Sequence, residues 1–185
     1  MTAPNTVQEF LLSRRSKPLR SLGEPPTRAQ VEMILTIGAR TPDHGKLEPW
    51  RFVVLEAPAL RRIATIAERH IERVGAPSLA ASQYQDSPFA IVVLESPILG
   101  KIPAIEQTYS TGAVCLALLN AALAEGLGAN WLSGALSHDP VFAAEAFGAE
   151  AHERVAGIVH IGTTEMAPAD RPRPDLDAKT TWMAD

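Results

Sequence analysis

The chain has 185 residues, of which 46% are hydrophobic and 21% are charged, and its formal net charge at pH 7 is −4. This length is typical of one domain, and the apolar fraction supplies a hydrophobic core, which excludes a disordered chain. The acidic balance argues against a nucleic-acid-binding protein, because such domains usually have a pI above about 9. We therefore expect residues 1–185 to form a single domain whose ligands are small molecules.

The sequence contains one cysteine, Cys115. A single cysteine excludes an intrachain disulfide and a thiolate metal cluster, and it fits a reducing compartment. No apolar signal segment precedes Arg14, and the longest apolar run, residues 113–127, is shorter than the ~20 residues of a membrane span. We expect a cytoplasmic protein.

Capping signals predict where several helices begin. Thr6 and Glu9 have the spacing of a capping box, as do Thr27 and Gln30, and each pair is followed by apolar residues at helical spacing. The first helix is expected to end near residues 14–16 and the second at Arg40. Further helices are predicted from Pro58 to Gly75, over residues 108–125, and from Asp139 to Phe147.

Three apolar runs rich in β-branched residues predict strands at residues 51–56, 89–95 and 155–161. The first two are apolar on both faces, which favours central, buried strands. The helix over residues 108–125 is apolar almost all round, so we expect it to be buried on every side. These elements predict a small mixed sheet flanked by helices.

Residues 14–16 read Arg-Arg-Ser at the predicted end of the first helix. Two guanidinium groups and a hydroxyl suit a phosphate monoester, although basic side chains at a helix C-terminus are also favoured by the helix dipole alone. Neither a glycine-rich dinucleotide turn nor a P-loop occurs in the sequence.

Two further segments have the composition of a binding site. Residues 40–50 place His44 in a turn that leads into a strand, where it could donate to a ligand or, with Asp43, form half of a metal site. Residues 126–134 combine glycines with Trp131 and Ser133, which suits either a flat ligand or a helix cap followed by a short strand and a turn.

In this order the segments resemble the nitroreductase family of FMN-dependent enzymes, in particular its shortest bacterial branch. The resemblance covers nearly the whole chain and is carried by residues 14–16, 39–44, 49–52, 101–107, 126–135, 147–148 and 160–162. It implies an α+β fold, with a small, mainly antiparallel sheet and helices on both faces. It also implies a homodimer whose long central helix packs against its mate, with FMN at the interface.

The resemblance further implies the roles of individual residues. FMN would be contacted by Arg14, Arg15, Ser16, His44, Trp131, Leu132 and Ser133, with Arg40 reaching it from the other chain. A nicotinamide nucleotide would be contacted by Ala121, Ala122, Leu123, Ala124, Glu125 and Gly126. No protein nucleophile is needed, because the flavin carries the chemistry between NAD(P)H and an electron-poor acceptor.

The sequence departs from the family pattern in the turn of residues 40–50 and in the glycine-rich segment of residues 126–134. His44 and Glu48 stand where much of the family has Asn and Gln, and the neutral Leu132 stands where close relatives often carry Arg. In the tail, Arg171 and Arg173 could add positive charge for a phosphate. Two alternatives stay open: a flavin-binding protein without NAD(P)H oxidoreductase activity, and a metal-dependent hydrolase using Asp43 and His44.

Overall fold

A computed structural model describes residues 7–100 and 102–184. The helices of this part of the chain are α1 (Val7–Ser13), α2 (Arg28–Gly38), α3 (Ala57–Val74), α4 (Ser82–Gln85), α5 (Ala104–Ala124) and α6 (Pro140–Phe147). Its strands are β1 (Trp50–Glu56), β2 (Phe89–Glu95), β3 (Gly128–Leu132) and β4 (Arg154–Gly162). After β4 the chain continues as an extended, largely exposed tail.

The strands form one sheet in the order β1-β2-β4-β3, and each neighbouring pair is antiparallel. The α+β class and the mainly antiparallel sheet are thus confirmed. The prediction of three main strands was incomplete, because residues 128–132 form a fourth strand beside β4. Strand β3 belongs to the glycine-rich segment of residues 126–134 and carries Trp131.

Helices cover both faces of the sheet and give two apolar cores. Helices α3, α4 and α6 pack on one face around side chains such as Ile63, Tyr84 and Phe142. Helices α2 and α5 pack on the other face, where Ile34 and Leu118 meet the sheet. Cys115 is fully buried in this second core, and burial raises the pKa of its thiol to about 12, so it behaves as an apolar core residue.

Local capping signals gave the correct starts and ends of several helices. Thr27 accepts from the Gln30 backbone N–H and Gln30 closes the capping box, as predicted. Gly75 ends α3 in a left-handed conformation with φ 64°, and Asp139 caps α6 by accepting from Phe142. The predicted cap at Thr6 lies outside the described residues.

The prediction that residues 51–56 form a central strand was wrong, because β1 lies at an edge of the sheet. Its apolar side chains are explained by its two faces: Leu55 lies in the first core, while Trp50 and Phe52 pack against the second. An apolar pattern reports which faces of a strand are covered. It does not report whether the strand has a neighbour on both sides.

Helix α5 differs from its prediction in its start and in its burial. It begins at Ala104, four residues early, because Pro103 is the extended N-cap and Glu106 lies in the first turn, where a carboxylate is favourable. It is not buried on every side. An apolar face, here called the α5 stripe (Ile105, Tyr109, Ala113 and Leu116), is exposed to solvent in the single chain.

Three members of the α5 stripe are large side chains, with exposures of 53% for Ile105, 69% for Tyr109 and 44% for Leu116. Tyr109 lies about one turn after Ile105, and Leu116 about two turns after Tyr109, which places all three on one side of the helix. No helix among the described residues has both the length and the apolar character required to cross a membrane.

Candidate functional site

The segment that follows α1 runs beside the outer edge of β3. The backbone N–H of Lys17 donates to the carbonyl of Ala129 over 2.9 Å. This hydrogen bond brings residues 14–16 next to the strand that carries Trp131 and Leu132. The fold therefore joins the first and the last of the predicted motifs, which lie more than 100 residues apart in the sequence.

In the described part of the chain, Arg14 forms no ion pair with a carboxylate. Its Nη2 reaches only the hydroxyl of Ser16, at 3.5 Å, and its Nε is buried without a hydrogen-bond acceptor. Burial, followed by repulsion from Arg15 and Arg173, lowers the pKa of the Arg14 guanidinium. A buried donor without an acceptor costs free energy, so this position suits an anion that supplies one.

The C-terminal tail lies against the same cations. Arg15 donates to the carbonyl of Ala169 and lies 3.5 Å from the Asp170 carboxylate. Lys17 Nζ donates to the carbonyl of Met166 over 2.8 Å, and Arg173 donates both to the Leu12 carbonyl and to Asp170. We call Arg14, Arg15, Lys17 and Arg173 the β3 cation cluster. Within the described residues, Asp170 is the carboxylate that pairs with it.

Trp131, Leu132 and Ser133 line the surface next to this cluster. Trp131 is 37% exposed, Leu132 is half-buried and Ser133 is exposed. The structure shows the helix cap and the short strand of the second interpretation of this segment, because Gly126 follows the end of α5 with φ 79° and residues 128–132 form β3. An exposed indole and a hydroxyl on or just after the strand that Lys17 borders suit a flat ligand that carries a phosphate.

His44 and Arg40 lie elsewhere, at the β1 side of the molecule. His44 Nδ1 lies 2.5 Å from Oε2 of Glu106, in the first turn of α5. Arg40 is exposed just beyond the end of α2. In the part of the chain that the structure describes, no hydrogen bond or ion pair links these two residues to the β3 cation cluster. One chain therefore holds two separate groups of predicted site residues.

The Asp43 carboxylate does not join His44. It accepts from the backbone N–H groups of Leu47 and Glu48, at 2.6 and 3.2 Å, and so closes the turn. Glu48 itself is exposed and has a left-handed backbone with φ 49°. Over residues 7–100 and 102–184, no three His, Cys, Asp or Glu side chains are grouped as a metal site would require.

The predicted nicotinamide segment spans the buried end of α5. Ala121 and Ala122 belong to the second core, with exposures of 3% and 0%. Ala124, Glu125 and Gly126 reach the surface. Leu123 is partly buried against the second core, so the accessible part of this segment lies at its C-terminal end.

The sequence patterns did not single out Lys17 or Gly157, and they gave no position in the fold for Arg173. Lys17 follows the Arg-Arg-Ser motif directly, so its proximity was available as a signal. Gly157, on which the Trp131 indole rests, gave no signal, because the contact crosses two strands. Arg173 was noted only as a basic residue of the tail, and the structure places it 3.0 Å from the Leu12 carbonyl.

Comparison with known proteins gives consistent results. The model of the Nitroreductase family matches residues 11–163. The chain is 35% identical over 164 residues to the Escherichia coli K12 protein named "Putative NAD(P)H nitroreductase YdjA", which covers 85% of this chain and 88% of that protein.

Solved structures show the same fold. A nitroreductase-like family protein from Bacillus cereus superimposes with a TM-score of 0.81 at 24% identity, covering 99% of this chain and 98% of that one. A nitroreductase from Desulfovibrio desulfuricans, solved in complex with FMN, gives a TM-score of 0.74 at 20% identity and covers 95% of both chains. The FMN- and NADPH-dependent nitroreductase NfnB gives 0.77 at 19% identity, covering 97% and 99%.

Proposed function

We propose that this chain, which belongs to the nitroreductase family, binds FMN and is an NAD(P)H-dependent oxidoreductase. The observation that carries the proposal is the β3 cation cluster, in which Arg14 has a buried donor without an acceptor beside an exposed indole. When bound, FMN supplies the hydride chemistry between NAD(P)H and an electron-poor acceptor such as a nitroaromatic or a quinone. The proposed location is the cytoplasm.

The residues of the β3 edge fit the phosphate of FMN. A phosphate monoester is close to a dianion at neutral pH and has three acceptor oxygens, which suits the forked donors of Arg14 and Arg15. Ser16 adds a hydroxyl. Such an anion would satisfy Arg14 Nε and relieve the repulsion that Arg15 and Arg173 exert on Arg14. The ring system is assigned to the neighbouring surface of Trp131, Leu132 and Ser133.

The α5 stripe supports assembly into a homodimer. Its large apolar side chains are exposed in the single chain, although each stretch of apolar surface left in water costs about 25 cal/mol per Å². In a two-fold dimer the same stripe covers its own copy. We therefore assign the stripe to the dimer interface.

An antiparallel crossing of the two α5 helices explains why the predicted site residues form two groups. His44 lies at the start of α5, whereas β3 follows its end, and a 21-residue helix is about 31 Å long. In an antiparallel pair the partner's helix start lies beside this chain's helix end. The partner then supplies Arg40 and His44 to the FMN held at β3, which gives two sites in each dimer.

The nicotinamide nucleotide is proposed to approach the exposed end of α5 at Ala124, Glu125 and Gly126. No side chain of the chain has to act as a nucleophile or a base in this scheme. Its residues bind the phosphate, hold the ring and place donors where negative charge develops.

The proposal is tested by purifying the protein and measuring the flavin released by heat, which should amount to about one FMN per chain. Anaerobic mixing with NADH or NADPH in a stopped-flow instrument should bleach the flavin absorbance, and a quinone should restore it. Flavin that is bound but is not reduced would identify a flavin-binding protein without oxidoreductase activity. A colourless protein that takes up no added FMN would refute the proposal.

A further inference from the structure

The indole of Trp131 lies directly over the backbone of Gly157 on the neighbouring strand. Trp131 is paired with Val159, so Gly157 lies two residues along β4 on the same face of the sheet. A Cβ added at Gly157 would lie 2.6 Å from Cδ1 and 2.9 Å from Cε2 of the indole, and closer still to Nε1. No residue other than glycine fits at this position unless the indole moves.

The backbone of β4 is irregular at this place. Val93 of β2 is paired with Gly157 and Leu94 with Val155, so Ala156 is an additional residue in β4. A bulge of this kind bends a strand locally and changes the direction of nearby side chains, and bulges are common next to active sites. Here it shapes the strand immediately before the glycine that receives Trp131.

The contact leaves part of the indole exposed beside the β3 cation cluster. Trp131 retains 37% of its exposure although its ring rests on the sheet. It lies two residues beyond Ala129, whose carbonyl accepts from the Lys17 N–H. The position of the indole therefore determines how much space remains above the sheet next to Arg14 and Ser16.

We infer that Gly157 is a positioning residue of the flavin site, which lets the pyrrole edge of the Trp131 indole lie against the backbone of β4 and keeps the space for the flavin ring open. This inference depends on the proposed function. A methyl group at position 157 lifts the indole into that space. Gly157 itself need not touch the flavin.

The test is a double-mutant cycle on FMN affinity, measured by flavin fluorescence with the cofactor-stripped protein. Gly157→Ala should weaken FMN binding by about tenfold, which corresponds to about 1.4 kcal/mol, because the displaced indole occupies part of the space for the ring. In a Trp131→Ala background, Gly157→Ala should cause no further loss, because the group it displaces is gone. At saturating FMN, the visible circular dichroism of the bound flavin should change in Gly157→Ala.

Gly100→Ala is the matched control, because a Cβ at Gly100 meets no atom within 4 Å. It should leave both FMN affinity and the flavin dichroism as in the wild type. Should Gly157→Ala not fold alone, the comparison of Trp131→Ala with the double variant remains, and a further tenfold loss there would overturn the inference. So would a folded Gly157→Ala with wild-type affinity. A wild-type chain that binds no FMN would instead refute the proposed function, and this role with it.

Discussion

Two groups of arginines in this protein are paired in different ways. Arg51 binds both oxygens of Glu153, at 2.7 and 2.6 Å, and Arg154 binds both oxygens of Glu95, at 2.6 and 2.9 Å. Both carboxylates are buried, with 2% of each side chain exposed. Arg14, by contrast, has neighbouring cations and a buried donor without an acceptor.

The contrast distinguishes arginines that stabilise the fold from an arginine that is available to bind an anionic ligand. Where an arginine meets a buried carboxylate in a two-point contact, the chain itself satisfies both groups. Arg14 lies beside other cations and has a buried Nε without an acceptor in the described part of the chain, so a ligand would supply its favourable partner. Removing an arginine should therefore affect stability in the first group and ligand affinity in the second.

The largest effect is expected for Arg51→Met. The substitution leaves the buried Glu153 carboxylate without its cation, and we expect a loss of about 3 kcal/mol in the free energy of unfolding, at the lower end of the range for buried pairs because Arg51 is 39% exposed. Urea denaturation at pH 7 measures this loss. Arg28→Met removes an exposed pair with Glu32 and should leave the midpoint unchanged.

The same pair predicts a pH dependence. Arg51 lowers the pKa of Glu153 from an ordinary value of 4.5 to about 2. Because the folded-state pKa is depressed, the stabilisation is fully present above pH 4.5 and is lost as the pH falls toward 2. The difference between wild type and Arg51→Met should shrink over this range. A constant difference from pH 7 to pH 3 would contradict the assignment.

The next effect is expected for Arg14→Ala or Arg15→Ala, each of which should weaken FMN binding by about 1.5–3 kcal/mol, the scale of a hydrogen bond to a charged group. Titration of the cofactor-stripped protein with FMN measures the loss. For Arg14→Ala, the stability of the chain without FMN should not fall, because the lost guanidinium had no acidic partner. Arg69→Ala is the control, and equal losses at all three positions would assign Arg14 and Arg15 to a solvated helix end.

A smaller effect is expected for Leu116→Glu in the α5 stripe. A carboxylate at a two-fold interface faces apolar surface and its own copy, so the dimer dissociation constant should rise by about tenfold or more, which corresponds to about 1.4 kcal/mol. Sedimentation at micromolar concentrations measures the change. Leu79→Glu, at a side chain that is 76% exposed outside the stripe, should leave assembly unchanged. A wild-type monomer that retains FMN would exclude this interface.

The smallest effect is expected for Asp170→Asn. Asp170 is exposed and pairs with Arg15 and Arg173, so it competes with a phosphate for two cations of the β3 cluster. Removing its charge should raise FMN affinity slightly, and the gain should disappear at high salt. A loss of FMN affinity would instead indicate that Asp170 holds Arg15 and Arg173 in position for the phosphate.

Features with short-range signals were predictable from the sequence. The Thr27–Gln30 capping box, the end of α3 at Gly75 and the Asp139 cap each depend on residues within a few positions of one another. The order of the motifs indicated the family. These signals were sufficient to predict the fold class and to select the Arg-Arg-Ser motif as a candidate phosphate site.

Features that depend on long-range contacts were not predictable. The edge position of β1 depends on which strands pair, and the apolar pattern of the strand does not encode this. The exposed stripe of α5 is as apolar as the buried side of the helix. The residue composition of α5 therefore did not indicate which face is exposed in the single chain and which meets the core. The contact between Trp131 and Gly157 joins residues that appear unrelated in the sequence.

The central claim is that each flavin site combines the β3 cation cluster of one chain with Arg40 of the other. It is tested most directly with a heterodimer, purified through two different tags, that contains one Arg14→Ala chain and one Arg40→Ala chain. If each site is shared between the chains, one of the two sites in the heterodimer keeps both arginines and the other lacks both. The heterodimer should then bind about half the FMN of the wild-type dimer. Both variant homodimers should bind far less under the same conditions. If the heterodimer binds no more FMN than the mean of the two homodimers, each site is built within one chain, and the claim is wrong.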